Sequence, residues 1–184
     1  SLIGVHHLEG HLCSAGIGRI LEPPFVALVV SGGHTELILV AAYGRYRYLG
    51  RTLDDAAGEA FDKVARLLDL LPSHTAMAGG RAVSLAATDG DPGTVAFPRS
   101  YPERRGLDFS FSGLKTAVLT EVRRIRAEAG DEGLRRMTCD LAASFQEAVV
   151  DVLEARSVEA VLSTGARRVA LVGGVAANPR LRER

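Results

Sequence analysis

Cysteine is nearly absent: Cys13 and Cys139 are the only two, far apart and without a C-x-x-C pattern. That excludes a disulfide framework and a zinc ribbon and suits a reducing cytosol, so a cytoplasmic protein is expected. An excess of charge is missing too, with 22 Lys and Arg against 22 Asp and Glu. A nucleic-acid partner is therefore not announced by global charge and needs a local basic patch. No apolar run approaches the roughly 18 residues of a membrane span, and no signal-peptide pattern occurs. Repeats and low-complexity linkers are also missing. What is present is a 184-residue chain, 47% hydrophobic, which suffices for a real core. It starts without Met and stops in PRLRER, within the first turns of a helix, so it reads as a fragment of a longer protein.

Patterning predicts a helix over residues 5–19, with His7, His11 and Ala15 on one stripe. FVALVV (25–30) is a buried strand, HTELILVAA (34–42) a second forming a hairpin with it, and GRYRYLG (44–50) a third, more exposed one. Residues 53–70 read as a helix capped by Asp54 or Asp55, and 71–80 as a loop. A short helix is expected over 81–88, a helix over 112–130 ended by Gly130, and one long or kinked helix over 132–164. RRVALVGGV (167–175) is a strand running into a glycine pair, and a helix starts at Asn178 or Pro179. The fold class is α/β: a three-stranded antiparallel hairpin unit with helical cover.

Several short motifs carry chemistry. His7 and His11 are four apart, which puts two imidazoles on one helix face, as a metal pair or as ordinary surface histidines. Glu9 sits about 200° around the helix from either, so it is not the adjacent base of an H-E-x-x-H protease. Ser31-Gly32-Gly33 offers successive N–H groups and a hydroxyl to a phosphate, or simply turns a hairpin. Asp55, Glu59 and Asp62 recur at helical spacing, a stripe for ribose hydroxyls or a solvated face. Gly173-Gly174 followed by a helix start is geometry for a nucleotide, and Asn178 either caps that helix or touches the ligand. Ser112 is an N-cap candidate beside Lys115. Arg99, Arg104 and Arg105, with Arg123, Arg124 and Arg126, are basic clusters able to grip RNA or simply face solvent.

In this order, HHLEGH, FVALVVSGGHTELI, LGRTLDDAAGEAFDKVARLL, FPR, LDFSFSGLKTAV, DLAASFQEAVVDVL and VALVGGVAAN resemble the TsaD family, formerly called glycoproteases or O-sialoglycoprotein endopeptidases. The resemblance runs from residue 4 to residue 184. It implies the ASKHA fold of actin and the sugar kinases, of which this chain is a central, second-lobe part. It implies transfer of threonylcarbamoyl from threonylcarbamoyl-AMP to adenosine 37 of tRNA, with TsaB and TsaE as partner proteins and an iron or zinc ion as cofactor. By the same resemblance His7 and His11 hold the metal. Val29, Val30, Ser31, Gly32 and Gly33 form the loop for the acyl-adenylate phosphate, and Asp62, Gly80 and Asn178 bind the ATP- or AMP-type nucleotide. The family's third metal ligand, an Asp, and its first phosphate loop are expected outside this stretch. Within it, the family's YPGGP loop is replaced by SHTAMAGGR, with Arg81 where Pro stands. No general base is identified, and His34 stays open for that role. Rival readings are a metal-dependent glycoprotein endopeptidase, opposed by the missing H-E-x-x-H, and a non-catalytic ASKHA scaffold, opposed by the histidine pair.

Overall fold

The computed structural model describes residues 7–14, 16, 21–71, 77–101 and 106–184. The strands are β1 (Phe25–Val30), β2 (Thr35–Ala42), β3 (Arg45–Arg51) and β4 (Val169–Val172). The helices are α1 (His7–Ser14), α2 (Ala57–Leu67), α3 (Gly79–Ala86), α4 (Ser112–Thr164) and α5 (Pro179–Glu183). The sheet order is β3-β2-β1-β4. β1 pairs antiparallel with β2, Val30 opposite Thr35, and parallel with β4, Val29 opposite Val172. The predicted antiparallel unit is thus extended by a parallel strand, which makes the sheet mixed.

Burial follows position in the sheet. β1 lies between two strands with both faces covered, and all six of its residues are buried, which is why FVALVV is unbroken apolar sequence. β2 is mostly buried and β3 mostly exposed, as suits an edge. The larger core packs Val26, Leu28, Val30 and Leu37 of one face against α2, α3 and α4. Phe61 of α2 meets Phe145 of α4 edge to face, with ring centroids 5.1 Å apart. The opposite face carries a smaller cluster of Phe25, Ala27, Val29, Ile38 and Val40 under Leu12 of α1.

Several element boundaries differ from expectation. α2 begins at Ala57, and no side chain of its own segment caps it. Its first N–H is taken instead by the Thr35 hydroxyl, 2.8 Å from the Ala57 nitrogen. Asp54 caps a different helix: its carboxylate accepts from the N–H groups of Phe111 (2.8 Å) and Ser112 (3.2 Å) at the start of α4. It also accepts from the hydroxyls of Ser110 (2.6 Å) and Ser112 (2.8 Å). Ser112 is therefore not the N-cap; that position is Phe111. The break expected at Gly130 is present as φ 64° and ψ −170° inside α4, dividing it into two helical stretches. α3 starts at Gly79 and ends at Ala86, so Gly79 and Gly80 belong to a helix rather than to the loop. The flanks of the predicted 5–19 helix, including Ala15, and residues 72–76 lie outside the described residues. No described helix is long and apolar enough to cross a membrane.

Candidate functional site

β1 and β4 run parallel, so Ser31-Gly32-Gly33 and Gly173-Gly174 leave the sheet from the carboxyl ends of neighbouring strands. Ligands of open α/β sheets bind outside those ends. A cavity of ≈ 470 Å³ opens there. Gly32 lines it from the first loop, Gly174 and Asn178 from the second, Phe61 and Asp62 from α2, and Gly80 and Arg81 from α3. Four residues that the resemblance assigns to the ligand, Gly32, Asp62, Gly80 and Asn178, therefore meet on one wall system.

The first loop is fixed from both sides. The Ser31 N–H donates to the His34 carbonyl (2.8 Å), and the His34 N–H donates to the Ser31 hydroxyl (3.1 Å). Below it, the Gly58 N–H donates to the Ser31 carbonyl at 3.2 Å. A Cβ on Gly58 would lie 2.5 Å from that oxygen and 2.8 Å from Gly32 Cα. The glycine in the first turn of α2 is what lets the loop rest on the helix. Gly58 carries one signal in the sequence, a glycine inside a helix at a cost of about 1 kcal/mol in propensity, and no motif marks it. Gly173 has an analogous place, with φ 98°, and a Cβ there would meet the Val30 carbonyl oxygen at 2.3 Å.

Asp62 turns from α2 towards α3, its Oδ1 accepting from the Gly79 N–H at 2.8 Å. A Cβ on Gly79 would sit 2.6 Å from that oxygen, whereas one on Gly80 meets nothing closer than Phe61 Cβ at 3.9 Å. Close packing thus demands glycine at 79, and Gly80 is the one that faces the cavity. The carboxylate stripe is split: Asp55 and Glu59 both bind Lys63, at 2.7 and 2.9 Å, and hold its ammonium above the ordinary lysine range, Asp55 first. Only Asp62 reaches the cavity. Asp62 and Arg81 are its two charged linings, and the Arg81 side chain has no partner among the described residues.

Asn178 is buried and occupied twice. Its Oδ1 accepts from the Leu181 N–H (3.1 Å) as the cap of α5, and its Nδ2 donates to Gln146 Oε1 (2.7 Å). One amide N–H is left for a ligand. Val29 and Val30 have fully buried side chains within the β1 ladder, so only their backbone is available. Gly33 is exposed beside the cavity lining rather than in it.

The histidine pair converges: His7 Nε2 and His11 Nε2 are 3.2 Å apart. Two imidazole nitrogens on one tetrahedral zinc, each about 2.0–2.1 Å from it, stand about 3.3 Å apart, so the pair fits such an ion. The same spacing also suits an N–H···N hydrogen bond between neutral rings. The His34 ring lies 5.8 Å from the His7 ring, which brings the pair against the Ser31 loop. No group of three or more His, Cys, Asp or Glu is arranged for a metal among the described residues. Glu9 points elsewhere, as its helical position requires, and accepts from the Tyr46 hydroxyl at 3.1 Å.

Three of the four described arginines of the basic clusters are paired, and Arg123 is exposed without a side-chain partner among the described residues. Arg99 binds Asp151, Arg124 binds Glu121 and Glu128, and Arg126 binds Asp69 and Asp131. Arg104 and Arg105 lie outside the described residues.

A mixed sheet with two glycine loops at adjacent parallel strand ends, one of them beside a cavity lined by α2 and α3 and followed by His34 near the histidine pair, defines an α/β protein with a candidate small-ligand site. The family model described as TsaD, tRNA N6-adenosine threonylcarbamoyltransferase, matches residues 1–184, and the chain belongs to that family. Proteins named tRNA N6-adenosine threonylcarbamoyltransferase are similar to it throughout. That of Burkholderia mallei is 52% identical over 184 residues, covering 98% of this chain and 51% of its own length. That of Geotalea uraniireducens is 50% identical over 181 residues, covering 98% and 50%. That of Pelobacter propionicus is 49% identical over 185 residues, covering 98% and 50%. The chain spans about half the length of the relatives it matches.

Proposed function

We propose that this chain forms the nucleotide-facing part of a tRNA N6-adenosine threonylcarbamoyltransferase with an ASKHA architecture. The observation that carries this is the junction of three parts: the Ser31 loop, the cavity with Asp62 and Asn178, and the histidine pair abutting the loop through His34. The substrate would be threonylcarbamoyl-AMP, a mixed anhydride already activated by its AMP leaving group. The adenosine 37 amine of tRNA attacks the carbamoyl carbon. A C–N bond forms, the C–O bond to phosphate breaks, AMP leaves and the amine's proton passes to water.

Each residue has a part that its position supports. The N–H groups of Gly32 and Gly33 and the Ser31 hydroxyl stabilise charge on the departing phosphate. Asp62, with one oxygen on Gly79, offers the other to ribose hydroxyls. Asn178 holds the base-side wall with its remaining N–H. His7 and His11 would hold Fe²⁺ or Zn²⁺, which supplies Lewis acidity and orientation to the carbamoyl group. TsaB and TsaE are the proposed protein partners, in the cytoplasm.

The test is a double substitution, His7→Ala with His11→Ala, in the full-length protein. Elemental analysis is expected to show loss of the bound metal, and nucleoside mass spectrometry of tRNA a fall of at least about 100-fold in modified adenosine. Unchanged metal content and unchanged modification would overturn the reading. Metal-dependent cleavage of a defined protein by the wild type would favour the endopeptidase instead.

A further inference from the structure

α3 presents two faces. Ala82 and Val83 are buried in the larger core. Ala78, Arg81 and Leu85 follow the i, i+3, i+7 spacing of one helical stripe, and all three line the cavity. Leu85 is 56% exposed, an apolar side chain left uncovered on a helix whose other face is packed. Arg81, one turn before it, is exposed, and its side chain has no partner among the described residues. Elsewhere the fold brings carboxylates to arginines, Asp151 to Arg99 and Glu147 to Arg180. In the cavity, the Asp62 carboxylate is turned to the Gly79 N–H and makes no ion pair with Arg81.

The chemistry of these walls selects a ligand group. The segment after β4 adds Val175 and Pro179 to the same cavity, so its walls are largely apolar. A flat, uncharged aromatic ring suits such walls, and a planar guanidinium stacks on its π face. A phosphate does not suit them, because the Asp62 carboxylate would repel it and apolar side chains offer it no donor. Position agrees with chemistry. Gly58, whose N–H donates to the Ser31 carbonyl, and Asp62, which holds the start of α3, are four residues apart on α2. That is about 6 Å along the helix axis. A nucleotide with its phosphate on the Ser31 loop and its ribose at Asp62 then brings its base against α3.

We propose that Arg81 is a specificity-determining residue of this site, its guanidinium stacked on the face of the bound base beside Leu85. The inference rests on the reading of the cavity as a nucleotide site and adds which part of the nucleotide Arg81 meets: the base, not the phosphate. Its lack of an ion pair fits the role. No carboxylate has to be given up when the base enters, so the side chain only exchanges water for the ring. Ligands that carry the base keep this contact whether or not they carry a phosphate.

The experiment titrates wild-type full-length protein and its Arg81→Gln variant with AMP and with adenosine, read by ligand-observed NMR into the millimolar range. The variant is expected to bind both ligands about tenfold more weakly, by the same factor, because both carry the base. Without ligand it is expected to unfold at the wild-type temperature, since the side chain has no partner to lose. A loss confined to AMP would assign Arg81 to the phosphate and overturn the inference. Unchanged affinity for both ligands would overturn it while leaving the proposed function in place, and a lowered ligand-free Tm would make the loss structural and overturn it too. Wild-type protein that binds AMP but no adenosine would put the affinity in the phosphate, against the inference alone. Wild-type protein that binds neither would overturn the inference and the nucleotide reading together.

Discussion

Gly58 shows how a single missing methyl group shapes the site. Replacing it with alanine improves helix propensity by about 1 kcal/mol at most. The new Cβ would sit 2.5 Å from the Ser31 carbonyl oxygen, a backbone atom that moves only with the loop. Overpacking of this kind costs about 1–3 kcal/mol, so the clash outweighs the propensity. Gly58→Ala is expected to lower stability by about 1 kcal/mol in urea titration and to weaken AMP binding at least tenfold by calorimetry. Residues of this kind were only partly legible in the sequence. Ser31, Asp62 and Asn178 stand in motifs whose chemistry shows in their side chains. Gly58 acts by being absent, and its reason, the underside of a loop 27 positions earlier, is tertiary. Val29 and Val30 have buried side chains because β1 is covered on both faces, which residue type alone does not separate from a ligand-facing role.

Among the elements, α4 depends on a cap delivered from elsewhere. Burial alone would raise the Asp54 carboxyl, yet hydrogen bonds from Ser110, Phe111 and Ser112 together hold it below the ordinary carboxylate range. A carboxylate depressed on folding contributes stability that is complete above its unfolded pKa, about 3.9, and is lost as pH falls through the lower folded value. Asp54→Ala is therefore expected to cost about 1–2 kcal/mol at pH 7. The difference between wild type and variant, read from urea midpoints, should shrink as pH drops below about 4. The sequence indicated correctly that an Asp here caps a helix and misassigned which one. Local spacing favours the next helix, while the fold brings α4 to the same carboxylate across a sequence separation of 57. Strands and helix existence were clearer than caps, because apolar runs and helix breakers are local signals: FVALVV reads as a buried strand, and Gly130 breaks the helical path as expected.

At the scale of the molecule, the order of strands was the least legible feature. Nothing in RRVALVGGV states that it lies parallel to a strand some 140 positions earlier, yet that pairing places both glycine loops at one end of the sheet. The charge distribution was misjudged for two reasons. Arg124 is paired by Glu121 and Glu128, one helical turn away and visible at that spacing in the sequence, whereas Arg99 and Arg126 meet Asp151 and Asp69 through the fold.

The cavity draws its lining from the Ser31 loop, α2, α3 and the segment after β4, pieces contributed by residues 32 to 179. A molecule bound there acts as a strut between segments that an unfolded chain holds far apart, and it has no site at all in that unfolded chain. Ligation and folding are then one linked equilibrium. At a hundredfold excess over Kd, a nucleotide should add about 2.7 kcal/mol to the unfolding free energy. Thermal unfolding of the full-length protein with and without AMP measures this as a rise of several degrees in Tm, and Asp62→Ala should abolish most of the rise. By the same linkage, if the proposed nucleotide site holds, the folded fraction of the protein rises and falls with the concentration of that nucleotide.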